Sequence, residues 1–351
     1  MTHVNDSGCG LRVSGRNQRS AIRAAAPPPR FAFQLILSFL LCGTCYCQVV
    51  APTPIRVETV LVNVPVVVTG PRGAPVSGLE KEDFALFEDG LPREISVFAA
   101  AEEPVSIALL LDTSKSTVTV LNKIKKSARS FVGRMRPRDR ALVMTFDSEV
   151  QLLTPLSDDR KELDQVLKEI KPGEYAGTRL RDAVLEVTAN RFRTISGRKA
   201  IVLLSDGQDY GSRASIPELL ASVVESGTLV YSVYYRVDVR ALVRELLGVR
   251  LPRGGVGQGP GSPWEKRESE AASFLNELSE LSAGRFMLSG ISDLNKIFSE
   301  ILEELRNQYL LGFYPEKSRL DGTTHELRVE VRREGAVARS RRNYCVLRSE
   351  Q

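Results

Sequence analysis

Two runs constrain the fold of this chain more than any other feature: "VSIALLLD", Val105 to Asp112, and "RKAIVLLSD", Arg198 to Asp206. Each is continuously apolar and then stops in an aspartate. A strand wetted on one side alternates; a strand covered on both faces need not. Helical patterns separate and follow the two runs. "TVLNKIKKSARSFVGRM" places Val120, Ile124, Phe131 and Val132 on one stripe, and "SDDRKELDQVLKEI" opens on Ser157 as N-cap with acids in the first turn. "TRLRDAVLEVTANRF", "SIPELLASVVES", "EAASFLNELSELSA" and "SDLNKIFSEILEELRNQ" complete the helices, with strands "RALVMTF", "VQLLTPL" (an edge candidate), "TLVYSVYY" and "RFMLS" among them. Strands alternating with helices predict an α/β domain, a doubly wound and mostly parallel sheet with helices on both faces. Ligands of such sheets sit at the carboxyl ends of the strands. Asp112 and Asp206 therefore belong on one edge.

The flanks read differently. "RVETVLVNVPVVV" is Val-rich and alternating, and Asp89-Gly90 between apolar runs is a hairpin signal. After Gln308 the chain returns to β with "YLLGFYP", "HELRVEVR" and "AVARSRRNYCV". Neither half has enough strands to bury a face alone, so the two are expected to form one flanking β-sandwich. The expected organisation is a signal peptide at 1–47, a β segment at 51–102, the α/β domain at 103–306, and a second β segment at 307–346 packing on the first. "LPRGGVGQGPGSPW", within 236–266, is too rich in Gly and Pro to pack and is expected as a mobile loop. Its glycines do not match G-x-G-x-x-G, and no Walker A pattern occurs.

At the N-terminus "RAAAPPPR" supplies positive charge, "FAFQLILSFLLCGTCYC" is apolar, and "QVVAPTP" is polar and Pro-rich. This is the succession of a secretory signal, cut before Gln48 with Cys45 and Cys47 at −3 and −1. The apolar run is short of the about 20 residues a bilayer span needs, which leaves a retained anchor as the second reading and makes membrane contact depend on retention. Of the five cysteines only Cys345 would remain after cleavage, so the exported chain is expected to rely on core packing. With 351 residues and 42% hydrophobic composition that core is affordable in size. The net charge of +5 is modest, and no basic patch interleaved with aromatics argues for nucleic acid. The locally basic "RVEVRREGAVARSRRNY" alternates with Val and Ala and reads as the wet face of a strand.

Three distant segments carry the chemistry. Asp112, Ser114 and Ser116 follow the first buried strand; Gly177-Thr178 opens a helix; Asp206-Gly207 follows "AIVLLS". Two carboxylates and three hydroxyls are hard oxygen donors, suited to Mg²⁺, with Mn²⁺ or Ca²⁺ as alternatives, far better than to zinc or copper. Taken singly, Ser116 could be an N-cap and Asp206-Gly207 a plain turn. Asp182 reads as loop-fixing, Asp147 and Asp209 as solvated. A serine hydrolase needs a base beside its nucleophile, yet the histidines are only His3 and His325, neither with a route to Ser114, and no G-x-S-x-G elbow occurs. A phosphatase using Asp112 as nucleophile would want an acid where Ser114 stands.

Asp112-x-Ser114-x-Ser116, Thr178 and Asp206, set in "LLLDTSKS", "GTRLRDAV" and "IVLLSDGQD", resemble the metal-ion-dependent adhesion site of von Willebrand factor A domains over roughly residues 104–306. "GLEKEDFALFEDG", "LRNQYLLGFYP" and "RRNYCV" are similar to the related family described from acidobacteria. The resemblance implies that Ser114, Ser116 and Thr178 bind the ion directly, Asp112 and Asp206 act through water, and a partner's acidic side chain completes the octahedron. The expected function is an exported, non-enzymatic, metal-dependent binding module for a protein or peptide with an exposed Asp or Glu, secreted or in the cell envelope. The alternative is a structural subunit of an envelope assembly that works through its β module; a metal-assisted hydrolase ranks below both.

Overall fold

The computed structural model describes residues 61–236, 248, 263–290, 293–316 and 323–345. The expected signal segment and most of the Gly/Pro-rich stretch lie outside them. The first strands are β1 (Val62–Thr69), β2 (Phe84–Glu88), β3 (Leu91–Arg93) and β4 (Val97–Ala99). Alternate valines of β1, Val64, Val66 and Val68, are fully buried. Asp89 and Gly90, with φ of 47° and 79°, turn β2 into β3. Two successive left-handed residues match the right-handed twist of a hairpin, and Asp-Gly is the pair that adopts them at least cost.

The central sheet follows: β5 (Val105–Asp112), β6 (Arg140–Phe146), β7 (Val150–Ser157), β8 (Arg198–Ser205), β9 (Leu229–Tyr235) and β10 (Arg285–Ser289). Its order is β10-β9-β8-β5-β6-β7, parallel except for β7, which runs antiparallel at the edge. Every residue of β5 and β8 is buried, as their unbroken apolar runs require. On one face Ile107, Leu109 and Leu111 of β5 pack with Ile124 and Phe131 of α1 (Leu121–Gly133), Leu163 of α2 (Arg160–Glu169) and Phe298 of α6 (Leu294–Arg306). On the other Ala108 and Leu110 pack with Leu180 of α3 (Leu180–Leu185), Leu219 of α4 (Ile216–Ser226) and Leu275 of α5 (Pro263–Leu281). The chain is thus α/β with helices on both faces.

Two local expectations change. The N-cap of α2 is Asp159, whose carboxylate accepts from Lys161 and Glu162 N–H; Ser157 instead accepts from Asp159 N and donates to Glu162. A cap must sit one residue before the first helical turn, and Ser157 is two residues too early. The "TRLRDAVLEVTANRF" helix is not uniform: α3 passes into a π turn, Glu186–Arg191.

The last strands are β11 (Gln308–Phe313), β12 (Thr324–Val331), β13 (Val337–Ser340) and β14 (Asn343–Cys345). They join the first four in two antiparallel sheets, β13-β1-β11-β4 and β14-β12-β2-β3, each mixing strands from both ends of the sequence. Val64, Val66, Leu86, Tyr309, Leu311 and Leu327 share one core between the sheets. The basic run follows the wet-face reading in β12, where Arg328 and Glu330 are exposed, and Arg332, Arg333 and Arg342 beyond it are exposed as well; Arg339 and Arg341 depart from it. Arg341 is buried and donates to Val224 O, and Arg339 pairs with Glu304. Both side chains reach partners in the α/β domain, and Arg341, just past β13, is buried there. At the same seam Arg198 Nη1 donates to Leu305 O at 2.8 Å and Gln308 O at 2.9 Å, and Arg136 donates to Ala101 O and Arg306 O. Among the described residues no helix is long and apolar enough to cross a membrane.

Candidate metal centre

β5 and β8 are neighbours in register, so their tips arrive side by side. Asp112 ends β5, fully buried, and its backbone is already held by the pairing with Phe146. The chain then turns sharply. Ser114 N donates to Asp112 Oδ1 at 2.9 Å, and Thr117 Oγ1 donates to Ser114 O at 2.9 Å, closing a single 3₁₀ turn, Lys115–Thr117. This turn carries Ser114 Oγ to 3.0 Å from Ser116 Oγ. The Ser116 hydroxyl faces the Asp206 carboxylate and favours its charged form. Asp206 also accepts from Gln208 N at 3.1 Å. Gly207 is required behind it: at φ 73° a Cβ would stand 3.0 Å from Ala271 Cβ and 3.1 Å from Ala271 O on α5.

Thr178 comes from a third segment. It is buried and bridges Tyr210, four residues beyond Asp206, through N–H to O contacts of 3.0 and 2.8 Å. Its hydroxyl hydrogen-bonds no described residue. Asp112, Ser114 and Ser116 thus form one hydrogen-bonded set with Asp206 beside it, and Thr178 lies against the loop that leaves Asp206.

The electrostatics of this set favour a cation. Burial first, then the charge of Asp206, pushes the Asp112 carboxyl up to about 7; burial also raises Asp206, against the hydrogen bonds it accepts. No ion pair among the described residues reaches either acid. Two buried carboxylates side by side are costly unless a positive charge compensates them. The donor set is all oxygen, two acids and three hydroxyls, which fits a hard divalent ion. Among the described residues no cluster of three or more His, Cys, Asp and Glu offers a competing site.

The acids around the set hold its loops. Asp182 accepts from Arg213 N at 2.9 Å and Ala214 N at 2.8 Å, fixing the loop after Asp206 as expected. Asp147 and Asp209 are not merely solvated. Asp147 accepts from Thr113 Oγ1 at 3.0 Å, and Asp209 pairs with Arg181 while accepting from Arg181 N at 2.9 Å. Two residues went unread in the sequence. Ser205 Oγ donates to Asp112 Oδ2 at 2.7 Å and accepts from Gly207 N at 2.9 Å. Tyr235, at the tip of β9, is fully buried, its hydroxyl without a partner among the described residues. Burial raises that phenol, and after burial the charges of Asp112 and Asp206, so it stands beside the pair. The signals were the last residues of "AIVLLS" and "YSVYY", both hidden inside strand patterns. Two tyrosines frame the site outside: Tyr175 is 71% exposed and Tyr210 50%. His325 lies elsewhere, bonded to Asp89 in the sandwich.

A mostly parallel sheet that brings acids and hydroxyls to its carboxyl edge defines an α/β domain with a candidate site for a hard cation. Residues 107–208 match the family profile described as the von Willebrand factor type A domain. No curated protein matches the sequence. Three similar solved structures are an aerotolerance-related membrane protein from Bacteroides fragilis NCTC 9343 with multiple mutations to serines (20% identity, covering 57% of this chain and 98% of that one, TM-score 0.43), a von Willebrand factor type A protein from Catenulispora acidiphila (12%, 76% and 74%, 0.44), and proximal thread matrix protein 1 from the mussel byssus with a zinc-occupied metal-ion-dependent adhesion site (15%, 62% and 49%, 0.45). The chain spans about half of the mussel protein's length.

Proposed function

We propose that the chain is an exported binding module that captures an acidic side chain of a protein or peptide through a Mg²⁺ ion. Ser114, Ser116 and Thr178 would hold the ion, and Asp112 and Asp206 would orient its waters. Residues 103–306 would form this module, with 51–102 and 307–346 as its β companion and 1–47 as the export signal. The observation that carries the reading is the buried Asp112–Asp206 pair, which has hydroxyls around it and, among the described residues, no ion pair to a basic side chain. A divalent ion there keeps charge to spare, because the directly bound hydroxyls are neutral; that charge attracts an outside carboxylate. Exposed Tyr175 and Tyr210 beside the site are the residue type that anchors protein partners.

The test is binding of Mg²⁺ and of a glutamate-bearing peptide panel to the wild type, Thr178→Ala and Asp112→Ala. Capture should need Mg²⁺, vanish in EDTA, and vanish in both variants while circular dichroism is unchanged. If either variant captures peptide normally in Mg²⁺, the ion is not the contact.

A further inference from the structure

Lys199 is the second residue of β8, at the opposite end of that strand from Asp206 and about 23 Å away at about 3.3 Å per residue. It is 6% exposed. Its hydrogen bonding among the described residues is a single contact, Nζ to Phe192 O at 3.5 Å, the outer limit for such a bond. A buried ammonium has three donors to satisfy and ordinarily meets an acid. Here the ammonium borders a cleft of about 820 Å³ between the sandwich and the α/β domain, a size within the about 300–1,000 Å³ of small-molecule sites.

The walls say what would fit. Leu61, Val97 and Leu310 line the sandwich side and Ile195 the other. Thr188, in the π turn, and Ser222 of α4 meet there through a 2.7 Å hydroxyl contact. π turns recur at functional sites. Glu103 and Glu225 are exposed lining residues.

We propose that this cleft binds a small carboxylic acid with an apolar body, its carboxylate on Lys199 and its body on the sandwich wall. The unsatisfied ammonium selects an anion. The aliphatic wall selects an apolar body. Glu103 and Glu225 repel a second negative charge, and Arg193, the other cation on the lining, is exposed, so a monoanion on the buried ammonium is favoured over a dianion. Burial holds the Lys199 amine down at about 8, and a bound carboxylate would restore its charge. The site stands apart from the metal centre and does not depend on it.

The experiment is calorimetric titration of the full chain in EDTA with octanoate, N-acetyl-leucine, octanol and inorganic phosphate. At least one of the two acids should bind with saturation while octanol and phosphate do not; octanoate points to a free fatty acid, N-acetyl-leucine to a peptide's carboxyl end. Lys199→Met should lose about ten- to a hundredfold in affinity, the worth of a charged hydrogen bond. On the wild type, the bound acid should slow labelling of the Lys199 amine by trinitrobenzenesulfonate, read by peptide mass, and octanol should not. Binding of neither acid, equal binding of phosphate, equal affinity in Lys199→Met, or labelling that ignores the acid overturns the proposal.

Discussion

Ser205 donates its hydroxyl to Asp112 across the β5–β8 pairing at 2.7 Å, so the strand that delivers one acid also steadies the other. Ser205→Ala should therefore weaken the site without touching a proposed ion ligand. In Mg²⁺-saturated protein the loss should approach the about 1.5–3 kcal/mol of a hydrogen bond to a charged group, read by urea unfolding, with Mg²⁺ affinity lowered in calorimetry. Unchanged values in both measurements would mean the contact is idle.

Asp112→Asn should separate repulsion from metal binding. It removes one of two buried like charges, so in EDTA the variant should melt above the wild type. Mg²⁺ at a hundredfold excess over its dissociation constant should stabilise the wild type by about 2.7 kcal/mol and the variant far less. An equal Mg²⁺ shift in both proteins removes Asp112 from the site.

Deleting Tyr309 to Gln351 takes away most of β11, which lies between β1 and β4, and all of β12 to β14. The Val64, Val66 and Leu86 side of the core would face water. Aggregation should follow, seen by size-exclusion chromatography. A monomer that resists protease from Leu61 onward would show that the sandwich halves are independent.

Lys199 gives a pH dependence of definite sign. Its amine is held at about 8 in the folded chain against an ordinary 10.5, because it is buried. Between those values the unfolded chain binds more protons, so wild-type stability should rise as pH climbs from 8 toward 10.5. Below about pH 8 the buried ammonium is a constant cost, about 1.4 kcal/mol per unit of lowering. Glu103, Glu225 and Arg193 are the other charged groups lining its cleft. Lys199→Met should be more stable than wild type at pH 7 and lose that advantage by pH 10.5, in urea titrations at both. A constant difference across this range would contradict the assignment.

Much of this architecture was readable because burial leaves a period. β5 and β8 have apolar centres and are wholly buried, and the Val120–Ile124–Phe131 stripe lies against the sheet as spaced. Convergence at one edge was readable because strand ends carry the acids. What the sequence hid depends on partners far along the chain. Asp147 is fixed by Thr113, 34 residues away, and Asp209 by Arg181, 28 residues away; nothing local distinguishes them from solvated acids. Arg341 looks like its exposed neighbour Arg342 until the fold sets the link between β13 and β14 against Val224. Tyr235 hid for the opposite reason, as one more aromatic in an apolar strand.

The parallel register of the central sheet has a mechanical meaning. β5 and β8 run from the arginine-clamped base, where Arg198 and Arg136 grip the carbonyls of α6 and the sandwich junction, to the acid-bearing tip. A tug on the tip acts along those strands. β5 is paired residue for residue with β6 on one side and β8 on the other, so the load spreads over both ladders in shear and no single rung opens first. A load entering at the tip of β5 is therefore carried by three strands together and not by the one it enters.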